Sequence, residues 1–224
     1  MISENGGAIS SPWSAALLDG AAIESDPVGR RDAAAFAHHA EAGAREGVPA
    51  AAMEPLGVAT EFLQLADYDI KPGVTSDEGN GDTWPDIRRR ILNADILIMG
   101  TPIWMGQPSS VCKRALERMD AFLEEKDDEG RMVSYGRVAA VAVVGNEDGA
   151  HHVSAELFQA LNDVGFTIPA NAVTYWVGEA MGSVNFVDLT EIPEVVRSTL
   201  DLVARNTAHA ARLFKAQPYP GEED

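Results

Sequence analysis

The sequence predicts an α/β domain built on a doubly wound parallel sheet. Two short apolar runs, at residues 95–99 and 138–144, have the continuous hydrophobicity of strands that are buried on both faces. Each run is followed by a loop with glycine or proline, and then by a segment whose apolar residues recur at helical spacing. Because connections of this length are crossovers, the strands should pair in parallel, with helices on both faces of the sheet.

The amino-terminal residues 1–52 do not follow this pattern. They are rich in Ala, Gly and charged residues, and we find no β-strand within residues 1–50. Short helices separated by Gly and Pro are expected in SSPWSAALLDGAA, RRDAAAFAHHAEAGARE and GVPAAAMEPLG. The sequence thus predicts an atypical, weakly structured or helical segment at 1–52, a main domain at 53–216 and a polar, disordered tail at 217–224.

The main domain begins with local stop and start signals. Residues 53–56 form the end of a helix that Gly57 stops, and residues 60–65 form a strand. A long polar connection follows, and Pro85 with Asp86 then begins a helix.

Carboxylates in this polar connection, residues 67–86, resemble a calcium loop. Glu78, Asn80 and Asp82 alternate as calcium ligands do, but Arg89 stands where a bidentate Glu is needed. We therefore expect a solvated loop. The arginines at 88–90 in the next helix are expected to form a solvated face rather than an anion site.

Residues 93–123 provide the main evidence for a ligand site. A loop at residues 101–108 leaves the carboxyl end of the first buried strand, and Ser109 or Ser110 caps the helix after it. Ligands of open α/β sheets bind beyond the carboxyl ends of the strands, so a ligand is expected at this loop. The later elements are a strand at 138–144, a loop at 145–149, a helix at 150–164, a strand at 167–177, a loop at 178–188 and a helix at 193–214.

Composition excludes several classes of function. A formal net charge of −18 over 224 residues argues against nucleic acid and anionic membranes as partners, because both require clustered Lys and Arg to neutralise phosphate. Cys112 is the only cysteine, which rules out an intramolecular disulfide and a multi-cysteine metal site. No apolar run is long enough to span a bilayer and nothing marks the chain for export, so we expect a cytoplasmic protein.

Two segments carry a resemblance to a known family. GTPIWMGQPSSVCKRALERMD resembles the flavin-contacting loop and following helix of the NAD(P)H-dependent FMN reductases of the flavodoxin-like superfamily, and VVGNEDGAHHVSAELFQALNDVGF is similar to their second flavin loop and helix. The resemblance covers roughly residues 58–214. It implies a flavodoxin-like three-layer sandwich, FMN as cofactor, NAD(P)H as electron donor, a small acceptor such as a quinone or a flavin, and a homo-oligomer.

The resemblance also implies that the chemistry takes place on the flavin, so we expect no catalytic side chain and no metal. Backbone N–H groups at 103–106 suit the carbonyl and N1 edge of the ring, while Trp104 and Met105 offer apolar surface to the ring or to packing within the protein. Of Glu147 and Asp148, at least one should point away from an anionic reduced flavin. The expected cofactor contacts are Thr101, Pro102, Ile103, Trp104, Met105, Gly106, Gly145, Asn146, Asp148 and Gly149.

Other reactive side chains have structural interpretations. His151 and His152 begin a helix, where they contact the surface, the core or a ligand. Cys112 is expected to be a buried small residue rather than a nucleophile. A hydrolase based on Ser110 and His151 lacks the Gly-x-Ser-x-Gly elbow.

One part of the family pattern is missing. Such folds begin with a central strand and a Ser/Thr/Gly loop that holds the FMN phosphate. Ser10, Ser11 and Ser14 imitate that loop, but no apolar strand precedes them. The gap indicates either a truncated or misframed start of the coding sequence or a true divergence. It leaves two alternatives to the enzyme: a protein that has lost flavin and serves as a binding or structural subunit, and a carrier that only shuttles electrons.

Overall fold

The computed structural model describes residues 33–38 and 47–221 of the chain. A parallel sheet has the strand order β2-β1-β3-β5-β6, and the short β4 pairs antiparallel with β3. The strands are β1 (Ala33–His38), β2 (Ala59–Gln64), β3 (Ile96–Trp104), β4 (Gln107–Pro108), β5 (Val138–Gly145) and β6 (Val173–Val177). The helices are α1 (Gly47–Met53), α2 (Trp84–Asn93), α3 (Ser110–Met119), α4 (Ala150–Asp163) and α5 (Glu194–Ala216). No helix in the described part of the chain combines the length and apolar character that a membrane span requires.

Strand β1 lies in the part of the sequence where we expected no strand. It pairs with β2 on one side and β3 on the other, so that the backbone of Ala34 lies opposite both Thr60 and Ile96. Alanine has the highest helix propensity, which is why AAAFAH resembles a helix in isolation. Hydrogen bonding to two neighbouring strands overrides that preference. The prediction that residues 1–50 lack a strand is therefore wrong, and the sheet begins before residue 53.

Helices cover both faces of the sheet and complete a three-layer sandwich. Along β3, Leu97 and Met99 pack against one helical layer, and Ile96 and Ile98 pack against the other. This two-sided burial confirms the strand that the apolar run at 95–99 predicts. The first layer is contributed by α2, α3 and α4, through Ile87, Ile91, Leu116, Met119, Val153 and Leu157. The second is contributed by α1 and α5, through Met53, Val203, Ala204, Ala208 and Ala211.

Local signals place several helix ends correctly. Gly57 follows α1 and a 3₁₀ turn (Glu54–Leu56) with a left-handed φ of 71°, as a helix-stopping glycine does. Ser109 caps α3 by accepting a hydrogen bond from the N–H of Cys112 at 3.2 Å. Of the two serines, only Ser109 is free to cap, because Ser110 is already helical.

A buried ion pair holds the long connection between β2 and α2. The carboxylate of Asp82 lies 2.7 Å from the guanidinium of Arg118, and neither side chain is exposed to solvent. Asp82 also accepts hydrogen bonds from the backbone N–H groups of Lys71, Glu78 and Trp84. The prediction of a solvated loop is wrong here, because Asp82 points into the protein instead of into water.

Arg118 reaches this connection from the buried face of α3. Its guanidinium donates hydrogen bonds to the carbonyl of Lys71 at 2.9 Å and to that of Thr75 at 2.8 Å. It also lies 5.7 Å from the ring centre of buried Trp84. One side chain thus fastens the connection and the start of α2 to α3.

The carboxyl-terminal region departs from its prediction in two places. Strand β6 begins at Val173 rather than at residue 167, after Asn171 has taken a left-handed φ of 54°. The tail is ordered through residue 221, because Tyr219 stacks on Phe214 at 4.8 Å and its hydroxyl is hydrogen-bonded to Thr167. The expectation of a disordered tail is therefore wrong for these residues, and residues 222–224 lie outside the described part.

Removing the charge of Asp82 should weaken the fold and change its response to acid. Burial alone would raise the pKa of Asp82, but backbone N–H donors and Arg118 outweigh burial and lower the pKa to about 2. A carboxyl with a lowered folded pKa stabilises the protein above about pH 4, and this contribution is lost as the pH falls towards 2. We expect Asp82→Asn to cost about 3–5 kcal/mol at neutral pH, since it leaves Arg118 buried without its counter-charge.

Urea unfolding from pH 7 down to about pH 2 measures both effects. The exposed Asp128 provides the control substitution Asp128→Asn. The wild type should lose stability more steeply than Asp82→Asn below about pH 4. Equal unfolding free energies for the two variants at pH 7 would show that the buried pair does not hold the connection.

Candidate functional site

A cavity of about 320 Å³ lies beyond the carboxyl ends of β3, β5 and β6. This is the edge of the sheet at which ligands bind in open α/β folds, and the volume is at the lower end of small-molecule pockets, about 300–1,000 Å³. Its apolar wall consists of Pro102, Ile103, Trp104, Val144, Trp176, Phe186 and Val187. Its polar edge consists of Gly145, Asn146, Glu147 and Asn185.

The first predicted loop is a tight hairpin rather than an open connection. Strand β3 continues to Trp104, well beyond its predicted end at residue 99, and β4 folds back against it. Between them Met105 and Gly106 have φ values of 55° and 72°. Positive φ at both central residues is what a type I′ hairpin turn requires. The hairpin fixes Trp104 at the cavity, with 41% of its surface exposed.

The second predicted loop packs directly against this hairpin. Gly149 has a φ of 128°, and a Cβ there would lie 3.1 Å from the carbonyl oxygen of Gly106. The N–H of Met105 donates a hydrogen bond to the carboxylate of Glu147 at 2.9 Å. Residues 101–106 and 145–149 thus lie side by side, as the prediction of a shared ligand slot requires.

A third loop, which follows β6, completes the cavity. The N–H of Met181 donates to the carbonyl of Asn146 at 2.8 Å, and the side-chain amide of Asn146 donates to that of Asn185 at 3.4 Å. These bonds tie the third loop to the second. Trp176 and Phe186, whose ring centres are 5.6 Å apart, consequently enter the cavity wall.

Half of the predicted contact residues line the cavity. They are Pro102, Ile103, Trp104, Gly145 and Asn146. The remaining five do not line it. Met105 is 91% exposed, Asp148 is exposed, and Gly106 and Gly149 lie against each other.

Thr101 is the fifth of these, and its side chain has partners within the protein. Its side chain is fully buried. The hydroxyl donates to the carbonyl of Pro102 at 3.0 Å and accepts a hydrogen bond from the N–H of Ser109 at 3.0 Å. Thr101 therefore supports the hairpin and the start of α3 and does not contact the cavity.

Sequence analysis missed the contribution of the third loop. Trp176 ends β6, and Asn185, Phe186 and Val187 follow it, so the rule that located the first two loops applied here as well. No motif distinguished these residues. Glu147 was not among the expected contacts, yet it lines the cavity while the neighbouring Asp148 is exposed.

The other reactive side chains have structural partners. Cys112 is 1% exposed, as expected for a buried small residue, and burial raises the pKa of its thiol to about 12. The ring of His151 packs edge-on against Tyr175 at 5.3 Å, and His152 is hydrogen-bonded to Gln107 at 3.0 Å. Within the described residues, no group of three or more His, Cys, Asp and Glu side chains could hold a metal ion.

The phosphate loop of the family pattern falls outside the described residues. Ser10, Ser11 and Ser14, which we considered for this role, lie in the undescribed part. The segment 39–46, which follows β1, also lies there. Its sequence, HAEAGARE, contains Gly43 and Arg45 but neither Ser nor Thr.

Comparison with protein families gives a match over most of the chain. A sequence profile described as NADPH-dependent FMN reductase matches residues 30–182. The matched region begins before β1 (Ala33–His38), the strand that sequence analysis missed, and ends within the third loop. It therefore includes the first two loops at the cavity but not Asn185, Phe186 and Val187, through which the third loop lines it.

Two curated relatives extend the comparison. The chain is 37% identical over 175 residues to the divalent metal cation transporter MntH of Mycobacterium bovis. This alignment covers 73% of this chain but only 25% of the transporter. The chain thus spans about a quarter of the length of that relative. It is 30% identical over 176 residues to the 8-demethyl-8-aminoriboflavin-5′-phosphate synthase of Streptomyces davaonensis, which covers 74% of this chain and 68% of the synthase.

Solved structures share the fold. The crystal structure of RosB with a bound intermediate, 8-demethyl-8-formylriboflavin-5′-phosphate, superimposes with a TM-score of 0.75 at 26% identity, over 84% of this chain and 82% of that one. The apo form of an NADH:FMN oxidoreductase superimposes with a TM-score of 0.59 at 16% identity, over 80% of this chain and 89% of that one. An archaeal flavodoxin superimposes with a TM-score of 0.51 at 8% identity, over 80% of this chain and 99% of that one. The last two likenesses establish the flavodoxin-like fold alone.

The thiol of Cys112 should not react in the folded protein. Burial keeps an external disulfide away from the sulfur of Cys112. The raised pKa keeps the thiol protonated at neutral pH, so the reactive thiolate is scarce. Titration with a chromogenic disulfide reagent at neutral pH should give less than one-tenth of an equivalent without denaturant, and about one equivalent in guanidinium chloride. Rapid reaction of the folded protein would show that the core around α3 opens.

Gly149→Ala should destabilise the site because it adds a Cβ against the backbone of Gly106. We expect a loss of roughly 1–3 kcal/mol in urea unfolding. Gly57→Ala is the matched control, since Gly57 also has a positive φ but has open space where its Cβ would lie. If the two variants lose equal stability, the close approach of the loops contributes nothing beyond backbone strain.

Proposed function

Because the chain belongs to the NADPH-dependent FMN reductase family, we propose that it is an FMN-dependent oxidoreductase that takes electrons from NAD(P)H. Its second substrate is a small acceptor such as a quinone or a free flavin. The observation that carries the proposal is the aromatic-walled cavity beside the hairpin of β3 and β4.

The residues of the cavity suit the isoalloxazine ring in two respects. Trp104, Trp176 and Phe186 offer flat apolar surface against which a planar ring gains dispersion contact. The side-chain amides of Asn146 and Asn185 supply both donors and acceptors, as the pyrimidine half of the ring requires. The walls thus match the apolar part of the ring, and the polar edge matches its hydrogen-bonding part.

When bound there, FMN supplies the redox chemistry, because its ring accepts a hydride. The part of the protein is to hold the ring and to limit the access of water. The hairpin and the second loop are suited to this task because the backbones of Gly106 and Gly149 pack directly against each other. A rigid frame of this kind spends little free energy on reorganisation when the ring binds.

A flavin-modifying activity is the second candidate. The Streptomyces davaonensis relative is named as a synthase of a modified flavin phosphate, and the RosB structure contains a modified flavin phosphate as an intermediate. This RosB likeness is closer than the likeness to the NADH:FMN oxidoreductase. In the second candidate FMN is consumed as a substrate, whereas in the first it is retained as a cofactor.

The fate of the flavin distinguishes the two activities. Purified protein is incubated with FMN, passed through gel filtration and assayed for NADPH and NADH oxidation with a quinone or free flavin, and the flavin is then extracted for mass spectrometry. Visible absorption bands, pyridine-nucleotide oxidation and unchanged FMN support the oxidoreductase. A flavin of altered mass supports the modifying enzyme. A colourless protein that leaves FMN fluorescence unquenched contradicts both and favours a subunit without flavin.

Trp176→Leu should weaken FMN binding about tenfold, because it removes an aromatic wall of the cavity. Tyr175→Leu is the matched control: the neighbouring position on β6 points to the other side of the strand and does not line the cavity. Fluorescence titration of FMN measures both dissociation constants. Equal affinities for the two variants would place the ring elsewhere.

A further inference from the structure

A single carboxylate stands in the cavity. Among the described residues that line it, Glu147 alone is ionisable. Its carboxylate accepts the hydrogen bond of the Met105 N–H at 2.9 Å, a contact between residues 42 positions apart in the sequence. The side chain therefore crosses from the second loop to the turn of the hairpin.

The N–H group that Glu147 occupies belongs to the turn of the hairpin, next to Trp104, which lines the cavity. Met105 and Gly106 have consecutive positive φ values of 55° and 72°. Successive N–H groups in turns form concave sites that attract anions and carbonyl oxygens. A carboxylate is a stronger acceptor for such a group than a neutral carbonyl. Glu147 thus supplies, from within the chain, the acceptor for this N–H group.

We propose that Glu147 is an internal competitor for the flavin and thereby determines which ligands enter the cavity. Its carboxylate holds the Met105 N–H until a ring with a suitably placed carbonyl displaces it. A flat apolar molecule without such an acceptor cannot replace the bond that is lost. This inference rests on the proposed function, since it names the residue that selects the ring at the same site.

A purely structural clamp is the competing interpretation of the same contact. If Glu147 only holds the two loops together, its removal loosens the cavity and weakens FMN binding. If Glu147 competes with the ring, its removal frees the Met105 N–H and strengthens FMN binding. The two interpretations therefore predict opposite changes in the dissociation constant.

Fluorescence titration with FMN, using Glu147→Ala and Glu147→Gln, separates them. We expect Glu147→Ala to lower the dissociation constant about three- to tenfold, and Glu147→Gln to have a smaller effect because an amide oxygen still accepts a hydrogen bond. Glu179→Gln is the charge control, since Glu179 is exposed on the third loop and does not line the cavity. It accounts for the general effect of removing one negative charge from the protein.

A second measurement needs no flavin. In the FMN-free protein, amide exchange followed by NMR should be about tenfold faster at Met105 in Glu147→Ala than in the wild type. Exchange in Glu179→Gln should match the wild type. The melting temperature of each variant reports whether it is folded.

Each outcome has a distinct meaning. A dissociation constant that is unchanged or higher in folded Glu147→Ala overturns the competition and assigns a clamp. Identical exchange at Met105 in all variants shows that the contact is absent in solution, and the inference fails while the proposed function stands. If neither the wild type nor any variant binds FMN, the proposed function fails, and this inference fails with it.

Discussion

The two-sided burial of β3 is the constraint on which the rest of the structure depends. Every residue of this strand is buried except Trp104, and the strand is paired with β1 and β5. Because helices cover both faces of this strand, the chain can reverse its direction only beyond the edge of those helices. The reversal therefore falls at Met105 and Gly106, outside the sheet, and the cavity forms in the space that the reversal leaves. The position of the site follows from the packing of the strand and not from the loop itself.

Helix α3 links the hairpin to the long connection between β2 and α2. Its start is fixed by Thr101 and Ser109, next to the hairpin, and Arg118 on its buried face holds the connection that contains Asp82. Well-packed apolar side chains would add as much stability as such a buried pair or more. We interpret the pair as a device that selects one arrangement of a long polar connection, which apolar contacts alone would leave free to shift.

The sequence was informative wherever the cause of a structure is local. Apolar runs identified β3 and β5, and Gly57, Pro85 and Ser109 marked helix ends, because each acts within a few residues. Strand β1 was not predicted, because its alanines favour a helix unless strands pair with it on both sides. The Asp82–Arg118 ion pair and the place of Trp176 in the cavity wall were not predicted, because the residues they contact are distant in sequence. The burial of the Thr101 side chain was not predicted, because its place beside the loop in the chain does not reveal that the sheet covers it.

The frame of the cavity is largely made of main-chain atoms. The N–H of Gly178 donates to the carbonyl of Gly145, that of Met181 donates to Asn146, and Gly106 lies against Gly149. Bonds of this kind do not depend on which side chains stand at the exposed tips of the loops. Substitutions at those tips should therefore leave the scaffold in place while they change the chemical character of the cavity entrance.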